Sequence, residues 1–327
     1  MSDLPPGGPR VVAIGGGHGL SQSLRAARRY ASEITAIVSV ADNGGSSGRL
    51  REEFGIPAPG DIRKCLGALL PGSSPLGDAL EHRFSTGDLE GHAFGNLLIA
   101  ALAASTGDFT SGVAEAGRLL GVLGTVLPAT TVPVDLRAVG DAGEVEGQVR
   151  IMAAHGVTRL SLVPPDPETP PGAVRALLDA DQVVIGPGSL YTSVIAVCCV
   201  PALREAIAAT KAQRVYVVNL REQPPETAGY DVAAHVAALS RHGIALDVVL
   251  ADCDALPIGE IPGTFGLVEA RIGGERLIAH EPALLAAELS KLATARGQWE
   301  HDRRWDADAR NEGASPGARE GTGRDGG

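Results

Sequence analysis

Two short apolar segments, each ending abruptly in glycines, lie within the first 51 residues of the chain. Their sequences are VVAIGGGHGL at 11–20 and ITAIVSVADNGGSSGRLR at 34–51. Short runs rich in Val and Ile are typical of parallel strands buried on both faces. In an open parallel sheet, ligands bind just outside the carboxyl ends of the strands, where helix N-termini favour anions. The two segments therefore predict a nucleotide-like ligand held mainly by backbone amides.

The same kind of strand recurs along the chain and alternates with helical segments. We predict strands at 11–14, 34–40, 158–163, 181–185, 214–218 and 246–250. We predict helices at 19–31, 60–70, 95–104, 111–120, 172–180, 202–210 and 231–242. This alternation predicts an α/β fold, a Rossmann-like, doubly wound and mostly parallel sheet with helices on both faces.

One segment departs from this pattern, because two alternating runs at 132–151 flank Gly140-Asp141-Ala142-Gly143. That is the composition of a hairpin turn, so we predict a small antiparallel excursion from the main sheet. Residues 1–9 are expected to form a flexible leader and residues 10–298 a single Rossmann-like domain. Residues 299–327 are polar and Gly-rich, and we expect a disordered tail there.

The composition excludes several classes of partner. The formal net charge of −11, without a basic stripe interleaved with aromatics, argues against nucleic acid as a general partner. No uninterrupted apolar run reaches the roughly 20 residues of a membrane span, so no membrane insertion is expected. The start of the chain has no signal-peptide pattern, and the four cysteines are scattered without metal-ligand spacing. We expect reduced thiols in a cytoplasmic protein.

The first glycine turn is a candidate phosphate site. It is not a dinucleotide fingerprint, because Leu20 stands where the third glycine would be, and no Gly-Lys-Ser/Thr follows to make a P-loop. A strand, a tight turn and a helix N-terminus remain, and this arrangement favours an anion. His18 either faces the ligand or caps the turn. The candidate ligand-binding residues here are Gly15, Gly16, Gly17, His18 and Gly19.

The second turn adds a carboxylate and short hydroxyl groups. Asp42 follows the second strand, where Rossmann-like folds place an acid that accepts from ribose hydroxyls, although such an Asp can also form an Asx turn. A Mg²⁺ role is open, but no carboxylate partner can be identified from spacing. The candidates in this turn are Asp42, Asn43, Gly44, Gly45, Ser46 and Ser47.

Two further helix starts carry polar residues. In PAPGDIRKCL at 57–66, Asp61 either caps the following helix or belongs to the site, and Arg63 or Lys64 could reach an anion because cations suit a first turn poorly. In GHAFGNLLIAAL at 91–102, Asn96 is either an N-cap or an amide that reads a base or sugar. Asp61, Arg63 and Asn96 are kept as candidates.

The third glycine turn, DQVVIGPGSLYTSVI at 181–195, repeats the strand–glycine–helix pattern. It is not a serine-hydrolase nucleophile elbow, because Tyr191 stands where that motif needs glycine. The candidate donors to phosphate or sugar are Gly186, Gly188, Ser189, Tyr191 and Thr192. The next strand end, VYVVNLREQPPETAGY, adds Asn219 and Gln223, which either cover the same crevice or belong to an ordinary solvated loop.

Taken together and in this order, the motifs resemble the gluconeogenesis-factor family, the YvcK-like branch of the CofD (2-phospho-L-lactate transferase) superfamily. The matching pieces are GGGHGL, ITAIVSVADNGGSSGRLR, PGDIRKCLGAL, GHAFGNLLIAAL, DQVVIGPGSLYTSVI and NLREQPPETAGY. The resemblance implies a Rossmann-like fold that binds UDP-sugars, with a role in carbon flux, cell-wall precursor supply and cell shape. The sister branch consists of Mg²⁺-dependent transferases that move a phospholactyl-type group from a nucleotide diphosphate carrier to an alcohol.

The sequence departs from the family motifs at three places. The usual GGGTGL is GGGHGL, the usual ADDGGSSG is ADNGGSSG, and the usual NLMTQPGET is NLREQPPET. The second departure removes a carboxylate at Asn43 and weakens the transferase hypothesis.

Two functions follow as hypotheses. The first is a non-catalytic, UDP-sugar-binding regulator in which the turns at 15–19 and 186–188 hold the diphosphate, Asp42 contacts hydroxyls, and Asn96 and Asn219 read uracil or sugar. It requires no cofactor. The second is a CofD-like transferase with Mg²⁺ at Asp42. NAD-like ligands and a homodimer stay open.

Overall fold

The computed structural model describes residues 4–261 and 265–295. Its strands in chain order are β1 (Arg10–Gly15), β2 (Glu33–Val38), β3 (Thr125–Pro128), β4 (Asp135–Gly140), β5 (Gly143–Glu146), β6 (Arg159–Val163), β7 (Gln182–Ile185), β8 (Gln213–Val217), β9 (Val248–Ala251) and β10 (Gly266–Glu269). In this part of the chain, seven strands form a sheet in the order β10-β9-β8-β7-β1-β2-β3, and every neighbouring pair is parallel.

Helices connect these strands. They are α1 (Gly17–Ala27), α2 (Gly45–Phe54), α3 (Gly60–Ala68), α4 (Pro75–Glu81), α5 (Phe94–Thr106), α6 (Phe109–Leu120), α7 (Gln148–Met152), α8 (Pro171–Asp179), α9 (Ala196–Cys198), α10 (Pro201–Ala209), α11 (Val232–Arg241) and α12 (Pro282–Thr294). A π-helix, Leu190–Ile195, directly precedes α9 and takes the place of the helix predicted after the third glycine turn.

The central strand shows why the sheet is covered on both faces. Val11 and Ala13 of β1 enter the core that contains α1, α3, α5, α6 and α12. Val12 and Ile14 enter the opposite core, with α8, α10, α11 and the π-helix. Because successive side chains of a strand point to opposite faces, an unbroken apolar run requires two covering layers. The predicted doubly wound α/β fold is confirmed.

The small antiparallel sheet has the order β5-β4-β6 and packs against the second of these cores. The predicted hairpin is present, with Gly140 paired to Gly143 around a two-residue loop. The strand predicted at 158–163 was assigned to the buried parallel sheet, and this is wrong, because β6 pairs antiparallel with β4. Arg159 and Ser161 are exposed while Leu160 and Leu162 are buried, which is the alternation of a strand covered on one face.

Several elements were not predicted, and two segments cannot be compared. The edge strands β3 and β10 have only four residues each, and α2, α4 and α12 were also missed. In the leader, the Ser32 hydroxyl donates to the carbonyl of Gly8 (2.6 Å) and the Ser32 amide to that of Pro9 (3.0 Å). Residues 1–3 and the predicted tail at 299–327 lie outside the described residues.

None of the described helices is by itself long and apolar enough to cross a membrane. Two consecutive helical segments, Leu190–Cys198 and Pro201–Ala209, are long and apolar enough when taken together, but they are bent by 74° relative to each other.

The contact between α1 and the turn after β7 gives a stability prediction. A Cβ added to Gly19 would lie 2.3 Å from the carbonyl oxygen of Pro187, a backbone atom that cannot move aside cheaply. We expect Gly19→Ala to lower the free energy of unfolding by about 1–3 kcal/mol, as overpacking commonly does. Urea unfolding followed by circular dichroism measures this change.

The matched control is Gly172→Ala in α8, where the new Cβ would meet only Leu127 at an ordinary 3.6 Å. Alanine is the better helix former, so this variant should be as stable as the parent or more so. Equal stability of the two variants would contradict the packing described here.

Candidate functional site

The candidate site lies where the strand order reverses. β1 has β2 on one side and β7 on the other, and ligands of open α/β sheets bind at the carboxyl ends of strands at such a switch point. The first glycine turn follows β1 directly and becomes the N-terminus of α1, which has no side-chain cap. The first amides of a helix have no intrahelical partner. Among the described residues, no group accepts from the amides of Gly17, His18 or Gly19, so they are open to an anion.

The first and third glycine turns pack directly against each other across the switch point. In addition to the Gly19–Pro187 contact, a Cβ on Gly188 would lie 3.3 Å from the carbonyl oxygen of Gly16. Gly186 donates its amide to the carbonyl of Ile14 (2.9 Å). Gly19 and Gly188, which were predicted to bind the ligand, are therefore needed for the close packing of the two turns.

The third turn does not offer the amides predicted for the diphosphate. The Gly188 amide donates to Asn219 Oδ1 (3.0 Å), and Asn219 Nδ2 donates to the Gly188 carbonyl (2.8 Å) and to Gln223 Oε1 (3.3 Å). With Gly186 also bonded, the assignment of the diphosphate to 186–188 needs correction. Asn219 holds the turn in place through two hydrogen bonds to Gly188, and Gln223 accepts a hydrogen bond from Asn219.

A buried carboxylate occupies the helix N-terminus that follows this turn. Glu226 is 3% exposed, and its Oε1 accepts from the Thr192 amide (3.2 Å). The amides of Leu190 and Tyr191 also point at this carboxylate. Burial raises the pKa of Glu226 to about 7. The chain thus supplies its own carboxyl group as the partner of the amides at the N-terminus of the π-helix.

The side chains of this helix also turn away from the expected ligand. Tyr191 is fully buried, and its hydroxyl contacts that of Tyr230 (2.9 Å) and accepts from Arg241 (3.4 Å). Thr192 is buried beside Glu226. The expectation that Tyr191 and Thr192 donate to phosphate or sugar is therefore corrected, because their polar groups face the protein interior. Ser189, at the start of the π-helix, stays partly exposed.

On the other side of α1, two carboxylates and a lysine come together. Asp42 Oδ1 accepts from the Gly44 amide (2.9 Å), which confirms the Asx-type turn. Asp61 Oδ1 accepts from Lys64 Nζ (3.0 Å), and its other oxygen lies against Gly16. Burial raises the pKa of Asp42, and the nearby Asp61 charge adds to the shift. Asp61 is thus the carboxylate neighbour of Asp42 that sequence spacing did not reveal.

The two serines of the second turn have separate surroundings. Ser46 is buried, and its hydroxyl contacts His92 Nδ1 (3.1 Å) and accepts from Asn96 Nδ2 (3.0 Å). Asn96 is itself 2% exposed, so it belongs to this buried hydrogen-bonded cluster of Ser46, His92 and Asn96 and does not lie at the mouth of a pocket. Ser47 lies beside Gly60 and contacts Asp42. Gly45 is exposed with open space around it.

Asn43 has a role that its spacing did not suggest. Its Oδ1 accepts from the Val149 amide at the start of α7 (3.1 Å), and Arg51 of α2 pairs with Asp135 of β4 (2.8 Å). These contacts join the second turn to the small antiparallel sheet. The departure from the family motif at Asn43 therefore falls on a tether between the two sheets.

Arg63 does not reach the crevice, which corrects the prediction. It is 5% exposed, and its guanidinium donates to the carbonyl of Leu80 (3.3 Å) and pairs with Glu81. Lys64, one residue on, is the cation beside Asp61. His18 is exposed on the first turn of α1, and burial of part of its ring, together with the charge of Lys64, lowers its pKa.

A cavity of about 240 Å³ opens beside the α1 N-terminus, and we call it the switch-point crevice. Its lining includes the predicted residues His18, Gly19, Gly188, Asn219 and Gln223. The residues that sequence reasoning did not assign to a site are Gln22, Pro187, Leu220, Arg221, Ile278, Ala279 and His280. The last three belong to the segment before α12, which carries no recognisable motif, so only the fold brings them to this edge.

Comparison with known proteins agrees with this architecture. Residues 11–261 match the sequence model of the family described as 2-phospho-L-lactate transferase CofD. The chain therefore belongs to the CofD family. Its relatives include the gluconeogenesis factor of Bacillus subtilis, which is 41% identical over 269 residues covering 80% of this chain and 84% of the relative. The resemblance to gluconeogenesis factors is thus confirmed.

Two further comparisons bear on extent and fold. A relative from a Nostoc species is 48% identical over 235 residues, which are 71% of this chain but only 52% of the relative, so this chain spans about half of that protein. The crystal structure of a UPF0052 family member from Bacillus halodurans superimposes with a TM-score of 0.77 at 34% identity. It covers 87% of this chain and 98% of the other.

The buried Glu226 gives a prediction about pH. Its pKa is raised from 4.5 to about 7, so the protonated form stabilises the fold at acidic pH, and this contribution is lost as the pH rises through about 7. The change is on the order of 3 kcal/mol. In Glu226→Gln the group is neutral throughout. We expect the free energy of unfolding of this variant to decline less between about pH 5 and pH 8 than that of the parent.

Urea titrations at several pH values measure this slope. Glu222→Gln is the matched control, because Glu222 lies in the same loop but is exposed. That variant should keep the parent slope. A parent-like slope in Glu226→Gln would show that Glu226 is not the buried titrating group.

Proposed function

We propose that the chain binds a nucleotide diphosphate sugar of the UDP-sugar class at the switch-point crevice and acts as a regulator. In this role it would link carbon metabolism to cell-wall precursor supply and cell shape. The observation that carries the proposal is the uncapped N-terminus of α1, whose first amides are open to an anion at the switch point of the sheet. The gluconeogenesis-factor relatives support the regulatory part.

The diphosphate would lie over the first turn of α1. Gly17 has a positive φ of 63°, and a Cβ there would approach only Asp61 and Lys64, at 3.8–4.0 Å. A ligand can therefore approach the backbone closely at this position. The α1 dipole and the Lys64 ammonium group both favour negative charge here. The third glycine turn would contribute shape, since its own amides are bonded within the protein.

The two ends of the ligand would occupy different surroundings. The crevice of about 240 Å³ is smaller than typical pockets for whole ligands and suits one end of an extended molecule. The side chains of Gln22 and Gln223 line it and can bond to a base or sugar. Asp42 would accept from hydroxyl groups on the other side of α1. Because burial raises its pKa, a neutral hydroxyl donor is a favourable partner.

Binding without catalysis is our preferred form of the proposal. The described residues that line the crevice include no serine, threonine, cysteine or lysine for a general base to activate, and the Ser46–His92 and Ser47–Asp42 contacts lie in the second turn, outside that lining. All four cysteines are free, which supports the cytoplasmic location expected from the sequence. The homodimer stays a prediction.

The alternative is a Mg²⁺-dependent transferase that moves a phospholactyl-type group from a nucleotide diphosphate to an alcohol. The observation that favours it is the neighbouring pair Asp42 and Asp61, since proteins hold Mg²⁺ through one or two carboxylates together with substrate phosphates. These residues fit the ion. Bound Mg²⁺ would neutralise charge on the diphosphate, while Lys64 holds Asp61 in place.

Calorimetric titration tests the proposal. Wild-type protein is titrated with UDP-N-acetylglucosamine, UDP-glucose and NAD, each with and without Mg²⁺. We expect a UDP-sugar to bind without Mg²⁺ and to be recovered intact. Removal of one charged hydrogen-bond partner in Asp42→Ala should weaken binding about 10- to 100-fold. Asp166→Ala, which alters an exposed aspartate outside the site, should bind as the parent does.

Two results would count against the regulator. Binding that needs Mg²⁺ and ends in breakdown of the nucleotide, with loss in both Asp42→Ala and Asp61→Asn, would establish the transferase instead. If no UDP-sugar binds and NAD binds at the same residues, the ligand of the site is a dinucleotide and not a UDP-sugar.

A further inference from the structure

A second and larger cavity lies on the other side of α1, away from the switch-point crevice. It has a volume of about 950 Å³ and runs between α1, α3 and α4. We call it the basic groove, because Arg25, Arg28, Arg29 and Lys64 line it. It is about four times the volume of the crevice, and His18 is the side chain that the two cavities share. Lys64 also stands beside the proposed diphosphate position, but neither the site described above nor the proposed function uses the three arginines.

Three of the four cations of the groove come from the last turn of α1 and the residues directly after it, and they differ in whether they have partners within the protein. Arg28 is held in place, because its guanidinium donates to the carbonyls of Ala68 and Pro71, both at 3.2 Å. Arg25 and Arg29 are exposed, and among the described residues neither guanidinium group has a hydrogen bond or an ion pair. The formal net charge of the chain is −11, so two unpaired arginines beside a third form a local exception in an acidic protein.

The dipole of α1 does not require all three arginines. One cation in the last turn of a helix complements the dipole, and Arg25 alone would do this. The carbonyls at that end already accept from the amides of Arg28, Arg29 and Tyr30. The remaining positive charge faces the groove, and guanidinium groups bind phosphate through paired hydrogen bonds.

The opposite wall of the groove has a different character. It presents the hydroxyl-bearing residues Ser73 and Ser74 and the exposed carboxylate of Asp78. Such groups bond to hydroxyl or ammonium groups of a ligand. The groove therefore combines an anion-binding wall with a hydroxyl-binding wall, and its volume lies within the range of small-molecule pockets.

We propose that the basic groove is a binding site for a phosphorylated, hydroxyl-bearing small molecule, separate from the nucleotide site. Its phosphate lies against Arg25 and Arg29, with Arg28 beneath them, and its hydroxyl groups face Ser74 and Asp78. This site does not depend on the proposed function, since Arg25, Arg28 and Arg29 neither line the crevice nor contribute to the proposed diphosphate position.

The test uses calorimetry with three probes, namely inorganic pyrophosphate, glucose 6-phosphate and unphosphorylated glucose. We expect the two phosphorylated probes to bind and glucose not to bind. The double variant Arg25→Glu/Arg29→Glu should bind them about 100-fold more weakly, because it loses two charged hydrogen-bond partners. Both positions are exposed, so the variant should fold, and its circular dichroism melt verifies this. Arg204→Glu on α10, an exposed arginine elsewhere, is the control and should bind as the parent does.

UDP-sugar titrations of the same variants separate this proposal from the proposed function. Unchanged UDP-sugar binding with loss of the phosphate probes establishes two sites. Loss of the phosphate probes also establishes the groove if no UDP-sugar binds at all. A phosphate-probe binding isotherm that is unchanged in the double variant would overturn the proposal, whereas loss of one of two sites would leave only binding at the α1 N-terminus. Absence of binding up to about 10 mM, or binding only to a single-stranded DNA oligonucleotide, would also overturn the proposal.

Discussion

The contact between the first and third glycine turns determines the geometry of the whole carboxyl edge of the sheet. Gly19 meets the carbonyl of Pro187 at a distance that leaves no space for a side chain, and Gly188 lies in tight contact with the carbonyl of Gly16. Because β1 and β7 are adjacent parallel strands, this contact fixes where α1 begins relative to the π-helix. The positions of the open amides and of the crevice follow from where α1 begins.

The two helix N-termini at this edge differ in whether the chain itself provides a partner for their amides. The N-terminus of the π-helix receives the carboxylate of Glu226 from within the chain. That of α1 has no internal partner, although it lies at the same switch point. Helix N-termini favour anions, and here the amides of the π-helix already have a carboxyl partner while those of α1 are open to an external anion. An external phosphate would therefore bind on the α1 side, beside Lys64, and not across both turns.

Much of the fold was predictable from the sequence, because Val- and Ile-rich runs between helical segments specify a buried parallel sheet. The site was predictable only in part. The spacing identified Asp42 and the turn at 15–19, but nothing local shows that Glu226, 37 residues after Ser189, returns to the π-helix. The same limit applies to Asn96, whose partner Ser46 is 50 positions away. Long-range pairing decides whether a polar side chain faces a ligand or the interior.

Amide hydrogen–deuterium exchange with and without UDP-N-acetylglucosamine tests the central claim most directly. The account predicts that the ligand slows exchange of the amides at 17–19, which have no internal acceptor. The amides at 190–192 should exchange at an unchanged rate, because Glu226 already holds that helix end. Slowed exchange at 190–192 without change at 17–19 would contradict the account. It would show that the diphosphate binds at the third glycine turn.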